Sequence, residues 1–412
     1  MTCHAFFSLV HTGAPFRELR FKSRRMWDYV SIRRHSELLS YARAIHWDFQ
    51  KSRGQPRRST DLLSVSAASF RHVLSVLSVP SSLHTLVLTS LRVEPAHQIL
   101  ILSIKTLRFL KLVESSFAPT SILMPRSSIT TLWLEICSPP TTRHLLTLLG
   151  SSLKILRFRR QNWEAHEILP STPLPLLTFF ESPVIKTVPS WVYFASFQNI
   201  RVLILHSFAW DESSPSPIPS TALPHLTYLA APPILGKALL LGRPVHTYRM
   251  YDPYYRDWSV MNHLERTLMH VAPYAQHVKE LHLWLNVPPW VLVDHLALHF
   301  PNLVRVHLCW DVPNSRPGPW PKGGAHLSLR EFNIGFYLRK EWSFPSDKCR
   351  NALRLLTKVC PALEVFRFGE VFFVDGSSGI DERDVRPDRL MDMRRTAEGE
   401  WKERKWGVVT PI

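Results

Sequence analysis

The residues capable of chemistry are scattered through this chain. Among its twenty histidines the best metal-like spacing is Asp294-His295-x-x-x-His299, which sets two imidazoles one turn apart on a helix face. Position 296 is Leu where a zinc protease needs a glutamate as general base, so the pair reads as two histidines on the outer face of a helix. The five cysteines, Cys3, Cys137, Cys309, Cys349 and Cys360, are odd in number and contain no C-x-x-C pair, which argues against a disulfide framework and against a zinc ribbon. Cys349 and Cys360 are three turns apart on or near one helix and cannot share a metal. No G-x-S-x-G elbow occurs, nor a G-x-G-x-x-G or G-x-x-x-x-G-K-[ST] loop, and the chain holds only 14 glycines. No catalytic residue, cofactor or metal is expected, and the chain is not expected to be an enzyme.

A repeat dominates the sequence instead. The pattern apolar-x-x-apolar-x-apolar recurs as Leu83-x-x-Leu86-x-Leu88, Leu107-x-x-Leu110-x-Leu112, Ile129-x-x-Leu132-x-Leu134, Leu153-x-x-Leu156-x-Phe158 and Ile200-x-x-Leu203-x-Leu205. It continues as Leu226-x-x-Leu229, Val245-x-x-Tyr248-x-Met250, Val278-x-x-Leu281-x-Leu283, Leu303-x-x-Val306-x-Leu308, Leu329-x-x-Phe332-x-Ile334 and Leu363-x-x-Phe366-x-Phe368. A weaker copy starts at Leu176 with Phe179 in its second slot, giving twelve copies from position 83 onward. Their mean spacing is about 25 residues, inside the roughly 20–29 of leucine-rich repeats. Two earlier copies, Phe16-x-x-Leu19-x-Phe21 and Ala42-x-x-Ile45-x-Trp47, bring the array almost to the first residue.

Helical patterns fill the intervals at Leu62–Leu77, Val260–Val271, Trp290–Phe300 and Cys349–Val359. The unit is therefore strand, turn, helix, turn. Neither its strand nor its helix face can be buried within one copy, so stacking must make the core. The expected fold is α/β: an irregular leucine-rich-repeat solenoid, a horseshoe with parallel strands on the concave face and helices on the convex face. The 33 prolines cluster between the strands and are expected to end helices and strands, because proline has no N–H to give a ladder. The expected organisation is an N-terminal segment 1–15, a solenoid 16–373, and a charged tail 374–412 forming a helical cap or a disordered extension.

Composition agrees with a packed chain, 45% hydrophobic and 20% charged. No run approaches the roughly 18 apolar residues needed to cross a bilayer. The best N-terminal apolar run, Phe6 to Val10, has no basic residue before it and is too short for a secretory signal. With cysteines that form no framework, the expectation is a reducing compartment, cytoplasmic or nuclear.

On these residues the chain resembles the leucine-rich-repeat family and, within it, the irregular arrays of fungal F-box-type proteins. The stretch Phe16–Phe49 carries the closer likeness: strand Phe16-Arg-Glu-Leu-Arg-Phe21, a helix around Ser36–Ser40, then a second strand ending at Trp47. The Asn or Cys slot that follows the strand in regular repeats holds Cys137 and Asn286, with Leu91, Ser115, Gln161 and Phe208 elsewhere. In that family an F-box of about 40 residues precedes this stretch, and only 15 residues stand before Phe16. The resemblance implies substrate recognition for ubiquitin-dependent degradation, with a ubiquitin-ligase adaptor as partner only if an F-box lies upstream. The other outcome is a truncated family member without ligase attachment.

In such a solenoid the residue between the second and third apolar slots faces the concave side. The candidate partner-binding residues are Arg20, Lys111, Trp133, Arg157, Phe180, Arg249, His282, His307 and Arg367, and none of the residues so placed is acidic. With a net charge of +17, they suit a protein partner with acidic and apolar features. An aromatic run offers a second surface through Tyr251, Tyr254, Tyr255 and Trp258. The basic segment 1–60, with 12 Lys/Arg against 4 Asp/Glu, keeps a nucleic-acid-associated protein as the alternative. No helix-turn-helix, zinc-finger or RNA-binding sheet motif accompanies that charge, and no membrane contact is expected.

Overall fold

The computed structural model describes residues 18–22, 42–48, 70–75, 82–118, 127–159, 174–182, 197–206, 218–250, 268–269, 271–285, 292–311, 328–337, 346–369 and 390–403. The chain divides into two compact units, Met1–Ile200 and Arg201–Ile412.

In the first unit the strands are β1 (Glu18–Lys22), β2 (Ala44–Asp48), β3 (Thr85–Thr89), β4 (Arg92–Val93), β5 (Phe109–Val113), β6 (Ser116–Phe117), β7 (Thr131–Glu135), β8 (Ile155–Arg159) and β9 (Phe179–Ser182). One sheet runs β1-β2-β3-β5-β7-β8-β9 with every pair parallel, and β4 and β6 pair separately, also parallel. The second unit has β10 (Val202–Leu205), β11 (Tyr228–Ala231), β12 (Thr247–Met250), β13 (Glu280–Leu285), β14 (Arg305–Asp311), β15 (Glu331–Tyr337), β16 (Val365–Gly369), β17 (Leu390–Arg395) and β18 (Trp401–Glu403). They follow one another in space as in sequence, parallel up to β16 and antiparallel for the last two. An open doubly wound sheet reverses its strand order at a switch point. Neither unit does, so each is a mostly parallel α/β sheet grown by adding one copy of the repeat at a time.

The apolar slots explain the strands. From Leu83 to Leu134 and from Leu303 to Leu308 every slot is at most 1% exposed, and the residue between the second and third slot lies on the other side, half-buried at Lys111, Trp133 and His307 and buried at Val87. Stacking repeats one hydrogen-bond motif. The carbonyl of His84 accepts the amides of Arg108 (3.0 Å) and Phe109 (2.9 Å), that of Arg108 accepts Thr130 and Thr131, and that of Thr130 accepts Lys154 and Ile155. The same motif runs through Arg201, Thr227, His246, Lys279, Val304 and Arg330 in the second unit. A further buried apolar position lies three residues ahead of the first slot, at Ile104, Leu174, Phe197, Leu223, Ala275, Phe300 and Cys360, closed by turns such as Leu303 N to Phe300 O at 3.1 Å.

The strand exits are just as regular in the first unit. Ser90, Glu114 and Ile136, directly after β3, β5 and β7, adopt left-handed φ values of 55°, 48° and 53°. Such a conformation costs roughly 1–2 kcal/mol in a non-glycine residue. Each amide is thereby aimed at the last carbonyl of the next strand, Ser90 N to Val113 O at 2.8 Å and Glu114 N to Glu135 O at 2.9 Å. The following residues, Leu91, Ser115 and Cys137, are buried. Ser115 Oγ donates to Leu88 O (3.2 Å) and accepts from Leu91 N (3.1 Å), while Cys137 Sγ donates to Leu112 O (3.6 Å), so this slot ties each repeat to the one before. Burial pushes the Cys137 thiol up to about 11. Gln161, Phe208 and Asn286 lie outside the described residues.

Among the described residues three helices begin with proline, at Pro95, Pro139 and Pro233, where the expectation had prolines as terminators. The first turn of a helix has no acceptor for its N–H groups, so proline loses nothing there and its fixed φ favours the start. Helices Leu292–His299 and Ser346–Val359 match two of the expected helical intervals. The tail differs from expectation. Its described part, 390–403, forms the β17–β18 hairpin on β16, with Met393 buried, and covers a sheet edge that a helix was expected to close.

Two packing devices in the second unit replace the ordinary apolar filling. Tyr248 is fully buried in a slot where most copies carry leucine, and its hydroxyl donates to Ala231 O at 3.3 Å. The space for its ring comes from Gly236 in helix Pro233–Leu240, where a Cβ would stand 2.8 Å from Tyr248 Cζ. Arg243 is 1% exposed and donates to four carbonyls: Ala222 (2.8 Å), Ala238 (3.1 Å), Leu241 (3.0 Å) and Pro219 (2.7 Å). Its charge closes the C-terminal end of that helix and fastens it to the preceding repeat. Burial lowers its pKa to about 10, which leaves it charged at neutral pH. Among the described residues no helix is long and apolar enough to cross a membrane.

Candidate functional site

The half-exposed face of each sheet carries the polar residues, arranged in rows by the parallel register. In the first unit the middle row reads Arg20, His46, Val87, Lys111, Trp133, Arg157, Glu181 across β1 to β9. One row toward the strand starts, Phe109, Thr131, Ile155 and Phe179 are part-buried and mostly apolar. One row the other way, Glu135 pairs with Arg159 in register.

Trp133 organises this grid. Lys111 Nζ lies 3.8 Å from the ring centroid and the Arg159 guanidinium 4.3 Å, arriving from the strands on either side, with Arg157 at 5.7 Å. The indole is thus flanked by cations, each contact being of the kind that contributes roughly 0.5–2 kcal/mol. Arg157 also covers Phe179 at 4.6 Å. Carboxylates sit beneath: Lys111 is 3.6 Å from Glu135, and Glu181 takes Arg157 at 3.6 Å and Arg159 at 3.4 Å. The acid is the more buried partner each time, with the Glu181 side chain 4% exposed against 33% for Arg157. Desolvation lowers the Arg157 pKa, and Glu181 opposes that shift.

In the second unit the corresponding row reads Arg249, His282, His307, Asn333, Arg367, Asp392, flanked by Glu280, Arg305 and Glu331. Glu280, His282 and His307 are the one group of His, Cys, Asp or Glu among the described residues whose donor atoms all lie within 4.8 Å. Glu280 Oε1 accepts from His282 Nε2 at 2.8 Å and lies 3.3 Å from His307 Nε2, and the two imidazoles stack at 4.3 Å and 15°.

Asn333 selects the His307 tautomer. Its amide nitrogen lies 3.2 Å from His307 Nδ1 and 3.1 Å from Glu331 Oε1, so Nδ1 accepts and the proton sits on Nε2, pointing at Glu280. A metal on Nε2 would need a proton on Nδ1, facing an N–H. Parallel stacked rings also aim their lone pairs side by side, and Arg305 stands 3.9 Å from Glu280 Oε2. The donor set therefore fits a carboxylate held by two imidazole N–H groups better than a metal cradle. Those N–H groups keep the Glu280 carboxyl well below its ordinary range, and burial pushes His282 down. Glu331 is bound by Arg305 (3.2 Å) and by Arg367. Asp392, 0% exposed, lies between Arg367 (3.7 Å) and Arg394 (3.6 Å).

Of the candidate residues named from sequence, Arg20, Lys111, Trp133 and Arg157 fall in one row of the first unit, and Arg249, His282, His307 and Arg367 in one row of the second. Phe180 does not belong with them. It is fully buried, pairs in register with Leu156 and packs against Phe158 at 5.8 Å, while Glu181 holds the face position. The copy starts at Leu177 instead of Leu176, and a shift of one residue exchanges the two faces of a strand. Leu174, three residues ahead of Leu177, marks the correct frame.

With the frame corrected, the middle position of β9 is acidic, and Asp392 extends the row of the second unit. Each strand shows two or three residues on that side, and Glu18, Glu135, Glu280 and Glu331 lie two positions from the residues considered. Tyr251, Tyr254, Tyr255 and Trp258 lie outside the described residues, as does the basic run 51–58. No protein-family model and no curated protein matches this chain.

Proposed function

We propose that the chain is a non-enzymatic protein-interaction scaffold of the leucine-rich-repeat type, an irregular α/β solenoid whose strand-lined faces hold a protein partner inside the cell, in cytoplasm or nucleus. The observation that carries the reading is the repeat of one geometry: a single carbonyl taking two amides from the next strand, copy after copy, with a buried slot after the strand tying neighbours together. Such stacking leaves one side of every strand for recognition. Its use, following the likeness to F-box-type repeat proteins, is recognition of substrates for ubiquitin-dependent degradation.

A basic nucleic-acid-associated protein is the competing reading, and it rests on the net charge of +17. Binding of single strands draws on aromatic rings free to stack with bases. Cations occupy the surroundings of Trp133, and carboxylates accompany the arginines of both faces, which favours a protein ligand.

The test places a photo-crosslinking amino acid at Ile155 or at Arg305 of the full chain in its native cells and identifies adducts by mass spectrometry. A defined protein adduct at either face supports the scaffold. Adducts confined to nucleic acid, or none from either position, would sink it. The ligase arm is tested separately by translating the transcript upstream of Met1 and by co-precipitation of the ligase adaptor with the resulting product; its absence there removes that arm and leaves the scaffold.

A further inference from the structure

Networks of paired charges line both faces. In the second unit Glu280 is matched by two imidazoles and Arg305, and Glu331 by Arg305, Asn333 and Arg367, so donors and acceptors interlock. In the first unit Lys111 pairs with Glu135, and Arg157 and Arg159 pair with Glu181, each carboxylate lying deeper than its cations. The carboxylates and the Trp133 indole act from below and between, which fixes the cationic heads while leaving Arg157 the most exposed of the group. Directly beside this row stand the part-buried side chains of Phe109, Ile155 and Phe179. A cationic row of fixed geometry next to an apolar row one pleat away is complementary to an extended segment whose side chains alternate between carboxylate and aliphatic.

We infer that the Lys111–Trp133–Arg157 row of the first unit is the docking site for an acidic, extended peptide segment of a protein partner, its carboxylates on Lys111 and Arg157 and its apolar side chains against Phe109, Ile155 and Phe179. The inference rests on the scaffold reading and names the partner chemistry. Trp133 is a positioning residue here. It holds Lys111 and Arg159 by cation–π contact. Binding strength comes from charge-assisted hydrogen bonds made to guanidinium and ammonium groups whose ordering cost is already met by folding.

Fluorescence anisotropy of a labelled peptide of about ten residues, glutamates with two leucines, titrated with the full chain reads this directly. The expected result is saturable binding that weakens about tenfold for Arg157→Ala and for Lys111→Ala, in line with the loss of one charge-assisted contact. Raising salt from about 50 to about 200 mM weakens it further. Thr131→Glu, which adds a carboxylate beside Trp133 without removing a packed side chain, weakens it likewise and covers the case in which an arginine variant fails to fold. No saturation, equal binding of a peptide with lysine in place of glutamate, or indifference to all three variants would overturn the inference. Oligothymidylate of the same length binding as tightly as the peptide would overturn it too, in favour of nucleic acid. If the peptide fails while a protein still crosslinks at Ile155, the scaffold stands and the acidic partner falls; if neither occurs, both fall.

Discussion

Gly236→Ala is the most informative single change, because the structure fixes both its cost and its remedy. In an open helix the substitution stabilises by about 0.8–1 kcal/mol through helix propensity. Here the added Cβ would stand 2.8 Å from Tyr248 Cζ and meet its hydroxyl oxygen as well. The ring cannot swing aside cheaply, since Tyr248 is fully buried and its hydroxyl is bonded to Ala231 O. Overpacking of this kind costs roughly 1–3 kcal/mol, and leaving the hydroxyl unpaired in the interior costs roughly 1–3 kcal/mol more if the ring does move. The net expectation is a loss of about 1–2 kcal/mol.

Tyr248→Leu restores the side chain that most copies carry and alone opens a cavity, also a loss of about 1–3 kcal/mol. Together the two changes should compensate, because the alanine methyl enters space that the ring has left. A double-mutant cycle should therefore give a favourable coupling of about 2 kcal/mol. Urea denaturation of the four proteins, with hydrogen exchange at Leu239 and Leu240 to read this unit by itself, measures it. Additivity within about 0.5 kcal/mol would refute the reasoning, since independent sites behave that way.

Three further outcomes follow from the same structure. Arg243→Met removes a donor from four carbonyls, of which Pro219 O keeps the amide of Ala222, and should cost about 1–3 kcal/mol in the same denaturation assay, with Arg243→Lys recovering only part because one ammonium cannot reach all four. Acidification should lower the thermal midpoint: His46, His97, His144 and His282 are all pushed below 6.5 by burial, so the unfolded chain takes up protons first, and the stability they contribute is present above 6.5 and lost as pH falls through the folded values. Replacing His97 and His144 by glutamine should flatten that slope, and a midpoint that holds steady from about pH 8 to about pH 5 would contradict it. Phe180→Ala should cost about 3–5 kcal/mol in the denaturation assay, as expected of a core aromatic and not of a face residue, and a loss below about 1 kcal/mol would restore the frame starting at Leu176.

The slots from Leu83 to Leu134 were readable because one buried side of a strand repeats every second residue, and a hydrophobic period needs no knowledge of neighbours. The same period placed Lys111, Trp133 and Arg157 on one side. It failed at Phe179-Phe180, where two adjacent aromatics satisfy either frame and the deciding residue, Leu174, lies upstream of the pattern being counted. It also missed Glu135, Glu181, Glu280 and Glu331, although Glu280-x-His282 and Glu331-x-Asn333 show their shared side by the spacing of two.

The sequence by itself determined the buried slots of most repeat strands, though not the tail hairpin or the frame of β9, and it showed no recognisable catalytic motif, because these follow from local periodicity and composition. The tertiary structure alone decided which charges meet. Lys111 finds Glu135, Arg157 finds Glu181, Arg305 finds Glu331 and Arg367 finds Asp392 across one strand boundary each, at separations of about one repeat in sequence. Such pairs depend on the register between copies, and that register is set by backbone hydrogen bonds from strand to strand, which carry no side-chain signature. Gly236 beneath Tyr248 and the four carbonyls around Arg243 belong to the same class, since each arises where two repeats pack and neither partner announces the other along the chain.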